Sequence, residues 1–437
     1  MMQSSSIQHL TLAQIRGNLI TLKLTRAQPP PSYEEVVNIA SPGRPLSLGR
    51  VVQVSGEYAT ILVFGGTNGL GLTATTTFTG EPLKMEVSEA LLGRVFDGMG
   101  RPIDGLGPTP VGEARSIAGC AISPTNRIYP RNYIHTGFSA IDGLATLIRG
   151  QKLPIFSMEG LPHNRLAAEI ATFASVAKGG KFAVVFAALG VTFDTADFFR
   201  NIFEESGQAN RTIMYLNLAN DPTTERIATP RFALTAAEYL AYDLGYHVLA
   251  IITDMTAYAE AIREISSANG EIPSRKGYPG YMYSDLASIY ERAGIVKNSP
   301  GSLTQIPVLT MPGDDITHPI PDLTGFITEG QIVMCRRLAR QGIWPPVNVL
   351  PSLSRLMKDG IGEGYTTAEH PAIAAAIFAK YAKVGDVRAL ASIVGEDELT
   401  IGERNFLIFG QRFEEDFVNQ HGRRTLTDTL DIAAGLV

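Results

Sequence analysis

Between residues 19 and 64, short apolar runs alternate with clusters of Gly, Pro and Ser; the runs are Leu19–Leu24, Gly49–Val54 and Ala59–Phe64. Runs of this length, broken by turn residues, predict β-strands, and their spacing suits a small barrel or sandwich. From residue 153 the pattern changes. Leu153–Ser157, Phe182–Ala187, Thr212–Leu218 and Val248–Thr253 are continuous apolar stretches, with helical stretches from about His163 and around Thr195–Glu205 between them. Fully apolar strands alternating with helices predict a parallel sheet joined by crossovers. Beyond residue 370 the period becomes helical. Ile373, Ile377, Phe378 and Tyr381 share one helical face. Thr400 and Glu403 predict a capping box ahead of a second stripe, Phe406, Phe409, Phe413 and Phe417. Both stripes are read as core and carry no chemistry. The expected architecture is multidomain: a β-barrel over residues 1–75, an α/β parallel-sheet domain over 76–350 and an α-helical domain over 351–437.

Composition narrows the function classes. A chain of 437 residues suits two or three domains. The formal net charge of −6 offers no basic footprint for nucleic acid. No run of about 18 apolar residues is present to span a bilayer. The opening MMQSSSIQHL has no basic region followed by an apolar run, so secretion is not expected. Cys120 and Cys335 have no metal-ligand spacing, and two cysteines fit a reduced compartment. The seven histidines form no H-x-x-x-H or H-x-H pair, so no protein-built zinc site is expected.

The informative segment follows the first apolar strand of the middle region. A phosphate-binding loop needs a strand, then G-x-x-x-x-G-K-[ST], then a helix. Its backbone N–H groups wrap the phosphates, its lysine neutralises their charge and its hydroxyl ligates Mg²⁺. Here the strand and helix flank Ser157-Met158-Glu159-Gly160-Leu161-Pro162-His163-Asn164. Ser157 and Pro162 stand where glycine belongs, His163 replaces the lysine and Asn164 replaces the Ser/Thr. Proline removes a backbone donor from the cradle. Histidine is shorter than lysine and lacks its permanent charge. Arg165 is basic but lies one place past the lysine position, and Glu159 adds negative charge. The loop therefore predicts a P-loop-like domain without a hydrolytic site of its own. Ser157, Gly160, His163 and Asn164 are left as a degenerate nucleotide-binding candidate. Asp254, after the strand Val248–Thr253, stands where a Walker-B aspartate would, a weak signal alone.

Several ordered blocks carry a closer resemblance. They are the altered loop Leu161-Pro162-His163-Asn164, Asn217–Pro222 (NLANDP), Leu234–Tyr242 (LTAAEYLAY) and Gly277–Tyr283 (GYPGYMY). Tyr290–Gly294 (YERAG), Asp314–Gln331 (DDITHPIPDLTGFITEGQ) and Pro351–Met357 (PSLSRLM) complete the set. On these blocks the chain resembles the non-catalytic B subunits of V/A-type rotary ATPases, and the similarity covers nearly the whole chain, from Gly49 to Leu430. It departs from them at Arg165, where glutamate is common, and at Ser274-Arg275-Lys276, where Gly-Arg-Arg is common.

The resemblance implies a RecA-like central domain. It implies a hexameric ring of three B and three catalytic A subunits, with a central rotor shaft, peripheral stalk subunits and a separate membrane sector. ATP or ADP would lie at the A–B interface with Mg²⁺ held by the neighbouring subunit, none being tightly bound by this chain alone. Arg355 matches the arginine that such subunits extend to the neighbour's γ-phosphate, and Pro351 with Ser352–Ser354 is expected to hold it on a fixed turn. In catalytic subunits a glutamate follows the second strand; here Ala187-Ala188-Leu189-Gly190-Val191-Thr192 supplies no carboxylate. The stretch Pro312–Pro321, with Asp314 and Asp315, is expected to be an irregular loop facing the rotor. The complex is expected on the cytoplasmic side of a membrane, which this chain meets only through its partners. A free-standing hexameric ATPase would need glycine at 162 and lysine at 163. An adaptor that kept the fold without the motor role has no use for Arg355 in its PSLSRLM setting.

Overall fold

The computed structural model describes residues 7–9, 12–24, 30–176 and 179–437. The N-terminal strands are β1 (Ile7–His9), β2 (Leu12–Arg16), β3 (Leu19–Lys23), β4 (Glu35–Ala40), β5 (Ser47–Ser55), β6 (Tyr58–Val63) and β7 (Thr75–Pro82). They form one seven-stranded sheet in the order β1-β7-β4-β5-β6-β3-β2. Residues 7–9 pair with β7 and residues 12–16 with β3, so one length of chain joins both ends of that order. Inward-facing Ile20, Leu22, Val37, Ile39, Val51, Ile61 and Val63 are fully buried. Gly49 in β5 is required by this packing, because a Cβ there would lie 2.5 Å from Ile61 Cγ2. β7 was not among the apolar runs: its sequence, TTTFTGEP, buries only Thr76 and Phe78.

The chain continues through β8 (Lys84–Val87), β9 (Val95–Asp97), β10 (Glu113–Ser116), β11 (Ile134–His135), β12 (Ile155–Met158) and β13 (Ser175–Val176). Then follow β14 (Phe182–Val191), β15 (Thr212–Leu218), β16 (His247–Thr253), β17 (Ser302–Met311), β18 (Gly330–Met334) and β19 (Val347–Ser354). Eight of them build the central sheet in the order β19-β18-β12-β17-β16-β14-β15-β9. All neighbours in it are parallel except β18 and β19, which are antiparallel. The expected parallel sheet is present, with one antiparallel strand, β19, at its edge. Residues 335–346 turn back through the short helix Arg336–Arg340 instead of crossing over, so β19 returns antiparallel at the edge.

The expected boundaries at residues 75 and 350 both fall within strands. β7 stays paired with β4 as far as Pro82, and β19 with β18 as far as Ser354. The last region packs the helices His370–Val394, Ile401–Arg412 and Leu426–Ala434 around Ile377, Tyr381, Phe413 and Phe417. Thr400 and Glu403 make the capping box reciprocally. Among the described residues no helix is long and apolar enough to cross a membrane.

Candidate functional site

β12 lies inside the sheet between β18 and β17, and its C-terminal end opens into the altered loop. In open α/β sheets, ligands bind at that end of the strands. The helix His163–Phe173 starts directly after Pro162, and no side chain caps it. Two of the loop's amides are taken up within it. The Leu161 amide donates to the Met158 carbonyl at 3.1 Å, and the His163 amide to the Leu161 carbonyl at 2.8 Å. Pro162 has no amide to offer. Ser157 is buried, and its Oγ lies 3.2 Å from His163 Nδ1. Thr253 Oγ1 donates to Asn164 Oδ1 at 3.1 Å. Gly160 is exposed at the tip with φ +75°, and nothing lies within 4 Å of where its Cβ would be. Ser157 and His163 are thus brought together, Asn164 is turned to β16, and Gly160 stands apart.

The neighbouring charges are engaged elsewhere. Arg165 donates to Glu169 Oε1 at 2.7 Å, with its guanidinium 4.0 Å from the Trp344 ring centroid. Asp254 accepts from Thr310 Oγ1 at 2.7 Å and from the Thr256 amide at 2.7 Å. After β14, where no carboxylate was found, Gly190 donates its amide to Asn217 Oδ1 at 3.1 Å. Arg226 lies over Gly190: a Cβ there would be 2.9 Å from Arg226 Nε. Arg226 donates to the same Asn217 oxygen at 2.9 Å, and burial pulls its pKa down.

Arg355 is in a different place. It follows β19, whose antiparallel course sets Ser354 opposite Gly330, the first residue of β18. Arg355 therefore lies toward the end of the sheet where the parallel strands begin, and the altered loop lies where they finish. The expected turn before Arg355 is a strand. Ser352 accepts from the Val333 amide at 2.9 Å, and the Pro351 carbonyl accepts from Gln331 at 3.1 Å, so β19 is held extended past its proline. The Arg355 amide donates to the Glu329 carbonyl at 3.0 Å. Its exposed guanidinium makes one long hydrogen bond, 3.3 Å, to the Thr328 carbonyl. Among the described residues it has no carboxylate partner.

Relatives with the same layout decide the family. The ATP synthase alpha/beta family nucleotide-binding domain matches residues 137–354, and the C-terminal domain of V and A type ATP synthase matches residues 359–437. A V-type ATP synthase beta chain from Halothermothrix orenii is 56% identical over 92% of this chain and 88% of its own. Beta chain 2 from Clostridium tetani is 52% identical over 98% of this chain and 93% of its own. The chain belongs to the V-type ATP synthase beta-chain family. Within the family, a solved ATP synthase subunit, NeqB from Nanoarcheaum equitans, superposes with a TM-score of 0.76 at 37% identity. That match covers 96% of this chain and 98% of the other.

In this family member the Pro312–Pro321 segment is only partly irregular. Pro312–Asp314 is a short 3-10 turn, and the helix Pro319–Ile327 begins at Pro319 with His318 as its N-cap. The expectation of a loop through Pro321 is corrected there, because proline is tolerated in the first helical turn, where amides have no partner anyway. Asp314 forms a two-pronged pair with Arg336 at 2.6 and 2.8 Å, which lowers its pKa. Asp315 accepts from Thr317 Oγ1 at 2.6 Å and from Lys276 Nζ at 3.0 Å. Those bonds hold its carboxyl at about 2, with the Thr317 hydroxyl contributing most. Both aspartates are on the surface at the loop end of the sheet, paired within the chain.

Sequence reasoning passed over Gln151 and Lys152. Both are buried polar residues just ahead of an apolar strand, and that position was the available signal. Lys152 Nζ pairs with Glu329 at 2.8 Å and Glu291 at 2.9 Å, and the Lys152 amide donates to Glu329 Oε2 at 2.8 Å.

Proposed function

We propose that this chain is the non-catalytic B subunit of a V/A-type rotary ATP synthase. In that reading it alternates with catalytic A subunits, three of each, around a central rotor shaft, with peripheral stalk subunits outside. Nucleotide and Mg²⁺ are held by the neighbouring A subunit, and Arg355 reaches that neighbour's γ-phosphate. The complex lies on the cytoplasmic side of a membrane. The observation that carries the reading is a contrast between side chains: those at the altered loop positions, Ser157, His163 and Asn164, are bonded within the chain, while an exposed arginine is left with one long hydrogen bond. Guanidinium is planar and permanently charged, and suits the spread negative charge of a transferring phosphoryl group. Asp314 and Asp315 face the rotor in this arrangement. Their pairing with Arg336 and Lys276 keeps the segment shaped.

The test is an assembled complex carrying Arg355→Ala. Subunit stoichiometry should be unchanged and ATP turnover should fall about a thousandfold. Turnover within a few-fold of the unmodified complex overturns the assignment. A cysteine at position 315 should cross-link to a rotor subunit; failure in every rotational state removes the rotor contact.

A further inference from the structure

We propose that Gln151 is a positioning residue for Arg355, acting through the Glu329 carbonyl and the Ser354 hydroxyl that flank it; this rests on the reading of Arg355 given above. Gln151 is fully buried. Its Nε2 donates to the Glu329 carbonyl at 3.0 Å and to Ser354 Oγ at 3.0 Å. The Glu329 carbonyl is the same one that receives the Arg355 amide, and Ser354 immediately precedes Arg355. One side-chain amide therefore grips the carbonyl that receives the Arg355 amide and the hydroxyl of the residue just before it. Its own Oε1 is anchored by the Ile148 amide at 2.9 Å.

The surroundings make that grip stiff. Ser354 Oγ donates onward to the Thr146 carbonyl at 2.8 Å. Gly330, with φ +137°, lets β18 approach β19 so closely that a Cβ would be 1.9 Å from the Leu353 carbonyl oxygen. Glu329 is locked from the other side by Lys152. An exposed guanidinium with one long bond has little of its own to fix its direction, so its aim is set by the backbone beneath it. Small misplacement of a charged group in phosphoryl transfer is costly, because catalysis there is nearly all positioning and charge stabilisation.

Gln151→Met removes the grip with little loss of volume. On the Arg355 side the Glu329 carbonyl keeps the Arg355 amide and Ser354 keeps Thr146, while the Ile148 amide loses its acceptor, a cost to stability that is the same in both backgrounds below. The assembled complex carrying Gln151→Met should keep its stoichiometry and lose about tenfold in kcat, with KM for ATP changed less than about twofold. In the Arg355→Ala background the same substitution should change kcat by less than about twofold, since there is no side chain left to aim. Should Gln151→Met fail to assemble, Ser354→Ala takes its place, with a loss of about threefold and the same disappearance in the Arg355→Ala background. Unchanged kcat, or an equal loss in both backgrounds, overturns the proposal while leaving Arg355 assigned. Near-normal turnover by Arg355→Ala alone overturns the assignment of Arg355, and this proposal with it.

Discussion

Two polar segments lie toward opposite ends of the central sheet and have opposite fates. At the loop after β12 the Leu161 and His163 amides and the side chains of Ser157, His163 and Asn164 are bonded within the chain. Arg355, after β19, leaves most of its donors unused. A buried or enclosed polar group must find a partner, whereas an exposed arginine can keep its donors for another molecule. Altered loop positions bonded within the chain at one end and an exposed arginine at the other are what the proposed role at a neighbour's site would require. The difference separates a fold that resembles a nucleotide-binding domain from a site that performs nucleotide chemistry.

The largest expected effect breaks the comparison at its functional end. Arg355→Lys should recover less than about tenfold of the thousandfold lost in Arg355→Ala, because lysine keeps charge but not the planar fork. Neither change should move the melting temperature of the isolated chain by more than about 2 °C, since no ion pair is lost. Full recovery by lysine would mean that charge alone is used there.

Arginines that are satisfied should behave in the reverse way. Glu414 is buried and receives Arg337 at 2.8 Å, Arg388 at 2.8 Å and Tyr381 at 2.5 Å. Burial pushes its carboxyl up, but the donated bonds from Arg337, Arg388 and Tyr381 outweigh this and hold it at about 2. A carboxyl with a depressed folded value stabilises fully above its ordinary value of about 4.3, and that contribution is lost as pH falls toward 2. Glu414→Gln should cost about 3 kcal/mol at pH 7 and flatten the acid limb of the stability curve, read by denaturant melts between pH 5 and pH 2.5. An unchanged acid limb would show that this network does not govern it.

At the silent end, rebuilding the loop sharpens the comparison. Ser157→Gly, Pro162→Gly, His163→Lys and Asn164→Thr together should tighten Mg-ATP binding to the isolated chain at least about tenfold, through restored charge-assisted bonds. Calorimetry gives the answer. Equal affinity before and after would mean that something other than these four residues closes the site. The smallest effect belongs to the surface aspartates. Asp315→Asn should shift the melting temperature by less than about 2 °C at pH 7, because exposed ion pairs contribute little. The Asp315–Lys276 pair should persist until the pH approaches about 2, followed by NMR titration of the carboxyl.

Local rules determined a good deal by themselves. The helix start at His163, the capping box at Thr400 and Glu403, the strand stretches Phe182–Ala187, Thr212–Leu218 and Val248–Thr253, and the four altered loop positions are all properties of near neighbours in the chain. Periodicity, turn residues and caps act over a few positions, so they are legible without a fold. The ordered blocks shared with rotary ATPase B subunits carried the family on the same terms. What the tertiary structure decided was direction and partnership. An apolar strand does not state which way it runs, so β19 was not readable as antiparallel. A proline run does not state whether it breaks a helix or begins one, so Pro319 and Pro321 were misplaced. Gln151 finds Glu329 178 positions away and Ser354 203 positions away. A hydrogen bond depends on two groups arriving within about 3 Å, and at such separations only the assembled sheet brings them there.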